Sequence, residues 1–356
     1  MYQIPNLPIA SELELETPAV LRALAGAHRK LAELKGAAKT IPNESILIST
    51  LGLQEAKDSS AIESIITTHD ELYQTEGNEP SRQSLQAKEV RNYAAALWDG
   101  LSEVRASGLI RLSTVLRVQE RIEKNNAGLR SQAGTTLKNQ LTGETVYTPP
   151  QRKKEIEAAL QNLLNFINDR DISALDPLVK LAVLHHQFES IHPFYDGNGR
   201  TGRILNLLYL VIEDLLDAPI LYLSGSFIKR KQIYYELLQA VRDSGQWEPW
   251  ILFVLECIEE SSGDALQKIL QMGELIHVYK HKLRSELPLI YSHELLNNLF
   301  KHPYTKIRFL EAECGITRQT ASRYLSEMEG IGLVTRRKIG RTLFFINEPL
   351  VRILTN

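Results

Sequence analysis

One twelve-residue segment concentrates side chains that are suited to phosphate chemistry. It runs from His192 to Arg203 and has the sequence HPFYDGNGRTGR. A histidine such as His192 titrates near neutral pH and can accept a proton from a hydroxyl group. Asp196 offers the hard oxygen ligands that Mg²⁺ prefers beside phosphate and water. We therefore expect a general base and a magnesium ligand in the same short segment.

The second half of this segment is suited to holding an anion. Glycines flank an asparagine at 197–199, and glycine tolerates positive φ, which lets successive backbone N–H groups surround an anion. The apolar residues at 204–211 predict a helix, whose N-terminal amides and dipole favour phosphate. Arg200 and Arg203 are three residues apart and share one helical face, where both can bind the same polyphosphate.

The complete segment resembles the signature of the Fic (filamentation induced by cAMP) family, His-x-Phe-x-(Asp/Glu)-Gly-Asn-Gly-Arg-x-x-Arg, and matches every defining position. That family typically transfers AMP from ATP to a hydroxyl side chain of a target protein. The resemblance implies that His192 is the base for the target hydroxyl and that Asp196 holds Mg²⁺. It also implies an ATP and phosphate site formed by Gly197, Asn198, Gly199, Arg200, Thr201, Gly202 and Arg203.

The polar segment DSSAIES has two interpretations. Ser60 followed by Glu63 three residues later is the pattern of a capping box at the start of a helix. The segment also resembles the inhibitory motif of many Fic proteins, (Ser/Thr)-x-x-x-Glu-(Gly/Asn), with Ser59 first, Glu63 fifth and Ser64 in place of Gly or Asn. The resemblance implies that Glu63 pairs with Arg203 and obstructs the γ-phosphate. We favour inhibition, although the two interpretations are compatible, and removal of AMP stays open.

Two further regions acquire roles through the same resemblance. Residues 141–150 predict a small β-hairpin, because Val, Thr and Tyr lie near a glycine and two prolines end the run. The hairpin is either a simple connection or the Fic flap, whose exposed edge pairs with the target backbone by strand addition. The flap residues expected to dock the target are Glu144, Thr145, Val146 and Tyr147. Tyr235, in a Tyr-Tyr pair, is assigned to nucleotide contact.

Composition favours a multi-domain intracellular protein. The 356 residues are 43% hydrophobic, enough for two or three cores, and the net charge of -2 argues against a uniformly nucleic-acid-binding surface. The two cysteines, Cys257 and Cys314, provide no disulfide framework. The first residues lack a signal-peptide pattern, and the apolar stretch at 204–223 is too polar to span a membrane. We expect a cytoplasmic location.

Helical periodicity dominates most of the chain. Helices are predicted at 12–36, 44–57, 83–106, 111–124, 152–168 and 175–189. The predicted fold class is mainly α: a Fic-type helical bundle with a small β-hairpin flap, plus a C-terminal winged helix-turn-helix domain. The expected domains are an N-terminal helical region carrying the inhibitory helix at 1–110, the Fic catalytic core at 111–260, and a linker helix with the winged domain at 261–356.

The winged-helix prediction rests on the order of elements near the C-terminus. A helix that ends at Gly315 is followed by Thr317 as the cap of a second helix, 318–328, and then by two strands within 331–346. From residue 302 onward, nine Lys and Arg face five Asp and Glu, a formal charge of +4. A DNA-binding second helix would present Arg318, Gln319, Ser322 and Arg323, with Arg336, Arg337, Lys338 and Arg341 at phosphates. Protein contact is an equally good interpretation.

Three functional hypotheses follow. The leading one is a self-inhibited protein adenylyltransferase that uses ATP and Mg²⁺ and modifies a target protein or itself. The second is a nucleotide-sensing, DNA-binding transcriptional regulator. The third keeps the enzyme but replaces AMP with another phosphate-containing group. No membrane partner is expected, and a homodimer is left open.

Overall fold

The computed structural model describes residues 3–10, 12–76, 84–138 and 143–355. Its architecture is mainly helical with short antiparallel strand pairs, as predicted. A short 3₁₀ helix, Glu12–Leu15, precedes the elements of the bundle, which are α1 Pro18–Ala38, α2 Glu44–Ile62, α3 His69–Thr75, α4 Leu85–Ser107, α5 Leu112–Glu123, β1 Leu137–Lys138, β2 Thr145–Tyr147, α6 Lys153–Asn168, α7 Pro177–Ile191, α8 Asn198–Ile212, α9 Leu223–Lys229, α10 Lys231–Ser244 and α11 Trp247–Glu286.

The first helix begins later than predicted, because a separate short helix occupies the start of the predicted range. The chain forms α1 only from Pro18, where the Thr17 side chain accepts a hydrogen bond from the N–H of Val20. Threonine at the N-cap followed by proline at the first helical position is a strong start signal. The acidic and leucine residues before it form the separate 3₁₀ turn instead.

The predicted end of the second helix was also wrong, and the error concerns the site. Helix α2 continues to Ile62 and buries residues on almost every side. Ser60 therefore lies inside this helix and Glu63 is its C-cap, so the two residues do not form an N-terminal capping box. Tertiary packing has overridden the local preference of the polar residues for a helix start.

Helix α8 lies at the centre of the bundle and packs against α4, α5 and α7. It packs tightly against α4 at Gly100, where an added Cβ would lie 2.8 Å from Leu208 Cδ1. Helix α1 runs along the long helix α11 on the outside. The C-terminal end of α7 and the N-terminal end of α8 are thereby brought together around residues 192–198.

A short strand pair lies beside this junction. Strand β2 pairs in antiparallel fashion with β1, with Leu137 opposite Tyr147. The predicted hairpin at 141–150 is therefore only half right, because the partner strand comes from residues upstream of the predicted range. Leu141 and Thr142 lie outside the described residues.

The C-terminal region begins after α11 and contains α12 His293–Lys301, β3 Tyr304–Thr305, α13 Ile307–Cys314, α14 Arg318–Gly330, β4 Thr335–Ile339, β5 Thr342–Ile346 and α15 Glu348–Thr355. The strands form one antiparallel sheet in the order β3-β5-β4. Gly315 ends α13 in the left-handed conformation, and the Thr317 side chain caps α14. The helices and the hairpin occur where the sequence predicts them, and the winged-helix assignment stays a prediction.

Among the described residues, no helix combines the length and apolar character that crossing a lipid bilayer requires.

Candidate functional site

The loop between α7 and α8 is held in a fixed shape by its own residues. His192 caps α7 with φ 47°, in the left-handed region. Asn198, the first residue of α8, is buried; its Oδ1 accepts from Phe194 N at 2.8 Å and its Nδ2 donates to Phe194 O at 2.9 Å. Asn198 therefore closes the loop by clamping the backbone of Phe194.

His192 lies in a cationic, partly enclosed position. Burial, followed by the nearby cations Arg130 and Arg242, lowers the pKa of His192 to about 4. A histidine with this pKa is neutral at physiological pH, and the neutral imidazole is the form that can accept a proton. The electrostatics therefore keep His192 in the form that can accept a proton.

Arg130 holds the backbone of this histidine in place, and the sequence pattern did not identify it as a site residue. Its side chain is fully buried; Nε donates to His192 O at 2.7 Å and Nη2 to Ile191 O at 3.3 Å. The Arg130 backbone N–H also donates to Pro193 O at 2.9 Å. These bonds satisfy carbonyls at the end of α7. No motif marks Arg130, because it acts on backbone atoms that are distant in sequence.

Arg200 is enclosed by two carboxylates. Its Nη1 lies 3.0 Å from Glu89 Oε2 and its Nη2 lies 2.6 Å from Glu123 Oε1, and its side chain is only 5% exposed. Burial raises the pKa of Glu123, while Arg200 opposes that rise. Neither carboxylate was predicted, because they come from α4 and α5, far from the signature in sequence.

Arg203 makes the contact that the sequence resemblance implies. Its Nη2 lies 2.9 Å from Glu63 Oε1, and the guanidinium also donates from Nε to Ser59 Oγ at 2.7 Å and from Nη2 to Ser59 O at 3.0 Å. The Arg203 side chain is 2% exposed and that of Glu63 is 33% exposed. Although burial opposes ionisation, Arg203 lowers the pKa of Glu63. The predicted pair Ser59 and Glu63 thus meets Arg203 in one cluster.

The remaining signature residues divide between the surroundings of the Glu63–Arg203 pair and the helix core. Gly197 has φ 78°, and Gly199 lies directly beside the Glu63 carboxylate and the Arg203 guanidinium. Thr201 is fully buried, and an added Cβ at Gly202 would lie 2.8 Å from Glu189 Oε1. The positions of Thr201 and Gly202 favour helix packing over direct phosphate contact.

Asp196 is the candidate metal ligand. Its side chain is exposed, and Oδ1 accepts from the Gly197 N–H at 2.8 Å. In the described part of the chain, no group of three or more His, Cys, Asp or Glu side chains could hold a metal by itself. One exposed carboxylate beside an anion-binding turn still fits Mg²⁺, which commonly takes one or two protein carboxylates and completes its shell with phosphate and water.

The flap residues face in two directions. Glu144, Thr145 and Val146 are exposed, whereas Tyr147 is buried. The Tyr147 hydroxyl donates to Ser190 O at 3.0 Å, and the Arg242 guanidinium lies 4.4 Å from the ring centre. Tyr147 therefore anchors β2 to the end of α7, and the other three residues lie at the surface.

Tyr235 lies at the rim of the site. It is 42% exposed on α10 and packs edge-to-face against Tyr234 at 5.0 Å between ring centres. Tyr234 is buried and its hydroxyl lies 2.9 Å from His185 Nε2. The exposed ring of Tyr235 thus packs on the buried ring of Tyr234, and the charges of Glu63 and Arg203 are close enough to affect its pKa.

Both the N-terminal and the C-terminal part of the chain match models of Fic-related domains. Residues 21–102 match the Fic/DOC family N-terminal model, and residues 275–350 match the model for the C-terminal domain of SoFic-like protein adenylyltransferases. Protein adenylyltransferase fic-1 of Caenorhabditis briggsae is 30% identical over 115 residues, and protein adenylyltransferase Fic of Drosophila erecta is 28% identical over 112 residues. Each match covers 32% of this chain and 21% of the relative.

Solved structures extend the similarity across the whole fold. A Fic family protein from Desulfovibrio desulfuricans G20 superposes with a TM-score of 0.58 over 97% of this chain and 98% of its own, at 19% identity. Fic-1 residues 134–508 from Caenorhabditis elegans superpose with a TM-score of 0.53 over 74% of this chain and 76% of that one, also at 19% identity. The N-terminal and C-terminal matches to Fic models thus lie on either side of the folded signature loop, and the chain has the fold of these Fic structures.

Proposed function

We propose that this protein is a protein adenylyltransferase that transfers AMP from ATP to a hydroxyl side chain of a target protein or of itself. The observation that carries the proposal is the junction of α7 and α8, where a neutral His192 precedes the glycine turn and the two arginines lie in the first turns of α8. The adenylyltransferase names of its partial relatives support the same reaction.

The reaction is an in-line displacement at the α-phosphorus. The target hydroxyl oxygen forms a bond to this phosphorus while the bond to the pyrophosphate oxygen breaks, and the hydroxyl proton passes to the His192 imidazole. Phosphoryl transfer depends mostly on positioning and charge stabilisation. Arg130 contributes indirectly by fixing the backbone of His192. The exposed residues Thr145 and Val146 of β2, with Glu144 just before them, would align the target by strand addition.

A magnesium ion would be held by Asp196 together with the phosphates. When bound, it neutralises phosphate charge and orients the leaving group. Tyr235 would contact the adenine side of the nucleotide from its exposed position on α10.

We further propose that the arrangement described here is the inhibited one. Arg203 is engaged by Glu63 and Ser59, and Arg200 by Glu89 and Glu123, so both signature cations already have protein partners. A γ-phosphate would have to replace Glu63 at Arg203 before the nucleotide could adopt a productive position. Release of Glu63 would therefore precede transfer.

The variant His192→Ala tests the transfer reaction. We expect it to abolish AMP incorporation, because no base remains to accept the hydroxyl proton, and to leave ATP binding within about twofold of the wild type, since general acid–base groups act mainly in the transition state. Intact-mass measurement after incubation with ATP and Mg²⁺ detects the adduct, and calorimetry measures ATP binding. Undiminished AMP labelling of the variant would exclude His192 as the base.

A second candidate role concerns the C-terminal region. Arg318, Gln319, Ser322 and Arg323 line an open groove of about 580 Å³ along α14. On the hairpin, however, Arg336 pairs with Glu329 at 2.7 Å and Arg337 with Glu348 at 3.5 Å. These intramolecular pairs compete with phosphate contact, so a DNA-binding role would depend mainly on α14.

Salt dependence tests this role directly. If α14 contacts DNA, the binding constant for a mixed-sequence duplex should fall steeply as salt rises, since bound phosphates release counterions. Arg318→Ala should weaken binding and reduce the slope by about one. Binding without a salt slope, or equal slopes for the two proteins, would exclude DNA contact at α14.

A further inference from the structure

One glutamine side chain joins the two chain segments that flank the β1–β2 strand pair. Gln151 Oε1 accepts from the Gly134 N–H at 2.6 Å, and its Nε2 donates to Thr135 O at 3.0 Å and to Pro149 O at 2.6 Å. Gly134 and Thr135 belong to the segment before β1, the upstream arm, and Pro149 belongs to the segment after β2, the downstream arm. A single amide therefore connects both arms.

This amide replaces backbone hydrogen bonds that the sequence cannot form. Within the described residues, β1 and β2 are paired at two positions, and so short a strand pair is marginally stable by itself. Pro149 and Pro150 lack the N–H groups with which the downstream arm could extend the ladder. The side chain of Gln151 has both a donor and an acceptor, so it can supply the missing cross-link.

The upstream arm is also attached to the signature loop. The Tyr195 hydroxyl oxygen accepts from the N–H groups of Ser131 at 3.0 Å and of Gln132 at 3.2 Å. Tyr195 lies between Phe194 and Asp196, at a position that the Fic signature leaves open. A side chain of the signature to which no chemistry is assigned thus holds the segment that leads into β1.

Strand β2 is attached to the same part of the molecule. The Tyr147 hydroxyl at the end of β2 donates to Ser190 O, two residues before His192. Both strands are therefore connected to the 190–195 segment, one through Tyr195 and the other through Tyr147, and Gln151 connects their arms to each other. These contacts fix the exposed part of β2 relative to the loop that carries His192.

We propose that Gln151 and Tyr195 are positioning residues for the transfer reaction, which fix the exposed edge of β2 relative to His192 and so hold the acceptor hydroxyl in line with the α-phosphorus. This inference rests on the proposed adenylyl transfer and on the alignment of the acceptor by β2. Reacting atoms must lie about 3–3.5 Å apart, and a misplacement of about 1 Å can lower the rate about a hundredfold. Two very short strands would not meet this requirement without further attachment.

The test compares variants of the full chain that all carry Glu63→Gly, since this change removes the proposed inhibition. Gln151→Ala removes the cross-link between the arms. Tyr195→Phe removes the hydroxyl that holds the upstream arm and keeps the ring. Gln161→Ala is the matched control, because Gln161 is exposed on α6 and its amide donates within that same helix. Initial rates of self-labelling are measured over a range of ATP concentrations, together with hydrogen exchange of the amides at 131–138.

We expect Gln151→Ala and Tyr195→Phe to lower the maximal labelling rate about tenfold to a hundredfold, and to leave the ATP concentration at half-maximal rate within about twofold. The reason is that neither change removes a group assigned to nucleotide binding. Amide exchange at 131–138 should become faster in both variants, because the arms lose attachments that limit local opening. Gln161→Ala should match the Glu63→Gly parent in every readout, and melting temperatures verify that each variant is folded.

The outcomes separate the two proposals. If Gln151→Ala and Tyr195→Phe label as fast as Gln161→Ala, whether or not their exchange accelerates, the positioning role is overturned and adenylyl transfer stands. A rise in the half-maximal ATP concentration that accounts for the whole loss would also overturn it, since the effect would then lie in nucleotide binding. If the Glu63→Gly parent acquires no AMP, the proposed transfer itself fails.

Discussion

At the end of α2, Ser64 has a left-handed backbone conformation, which glycine adopts more easily than serine does. It follows Glu63 directly and has φ 67°, a left-handed value that costs an L-residue other than glycine about 1 kcal/mol. Its N–H donates to Ala61 O and the next N–H, from Ile65, donates to Ser60 O, which closes the helix. The Gly or Asn of the family motif would fit this position without strain.

This geometry gives a matched pair of variants at the residue scale. Glu63→Gly removes the carboxylate that pairs with Arg203, and we expect AMP labelling to rise about tenfold or more. Each 1.4 kcal/mol by which the inhibited state is destabilised shifts the equilibrium between inhibited and active states tenfold. Ser64→Gly adds a glycine next to it without touching the ion pair. It should leave labelling unchanged and stabilise the protein by about 1 kcal/mol.

Labelling rates and denaturation midpoints of both variants provide the measurement. Equal labelling of Glu63→Gly and the wild type would argue against inhibition by this carboxylate. Increased labelling of Ser64→Gly would show that loosening the helix end, and not loss of the ion pair, is responsible.

Among the helices, α4 and α8 can cross closely because a glycine, Gly100, lies at their contact. An added Cβ at Gly100 would lie 2.8 Å from Leu208 Cδ1 and 3.3 Å from Val118 Cγ2. Both distances are shorter than normal van der Waals contact, so a larger residue would force α4 away from α8 and α5. The loop that carries His192 begins α8, and its position therefore depends on this crossing.

We expect Gly100→Ala to destabilise the protein by about 1–3 kcal/mol through overpacking. Gly36→Ala in α1 is the control, because an added Cβ there meets nothing within 4 Å. It should instead stabilise by about 0.5–1 kcal/mol through helix propensity. Thermal unfolding of both variants tests the contrast, and a destabilised Gly36→Ala or an unaffected Gly100→Ala would contradict it.

What the sequence predicted at this scale depended on whether the signal was local. The bounds of α4, α5, α6 and α14 were close to those predicted, because caps and apolar periodicity lie within each helix. The end of α2 was misjudged, because Glu55 and Ser59 are stabilised by Tyr93, Ser224 and Arg203 from other helices. These contacts between helices have no counterpart in sequence spacing.

Across the whole molecule, a histidine links the two ends of the chain. His302 Nδ1 lies 2.8 Å from Glu76 Oε1, just after α3, and Nε2 lies 2.9 Å from Glu313 Oε1 in α13. Although burial opposes its charge, hydrogen bonds to Glu313 and Glu76 raise the pKa of His302 to about 9. Lys306 donates to Glu76 O at 2.6 Å and Lys301 pairs with Glu313, also at 2.6 Å.

This pair of contacts predicts a pH-dependent stability. A pKa raised above the unfolded value of about 6.5 stabilises the protein fully below pH 6.5, and this contribution is lost as pH rises through 9. His302→Gln should therefore cost on the order of 3 kcal/mol at pH 6 and much less at pH 10. Exposed His277→Gln serves as the control. A His302→Gln effect of equal size at both pH values would contradict the prediction.

The signature residues were predictable because they are contiguous in sequence and their spacing has a direct chemical meaning. The partners that restrain them were not, since Glu89, Glu123 and Arg130 reach Arg200 and His192 only through the packing of α4, α5 and the following loop. The sequence alone identifies which groups can react, whereas the contacts that restrain these groups form only when distant segments pack together in the fold.

The position of Glu63 at the last turn of α2 has a kinetic consequence. The buried contacts on this side of the helix end at Ser59, and beyond them the chain continues through exposed Ser64. Opening of this terminal turn is a local unfolding event that would free the carboxylate and also expose the buried side chain of Ile62. Such events occur in microseconds to seconds, so ATP would meet a population of chains whose last turn opens and closes continually.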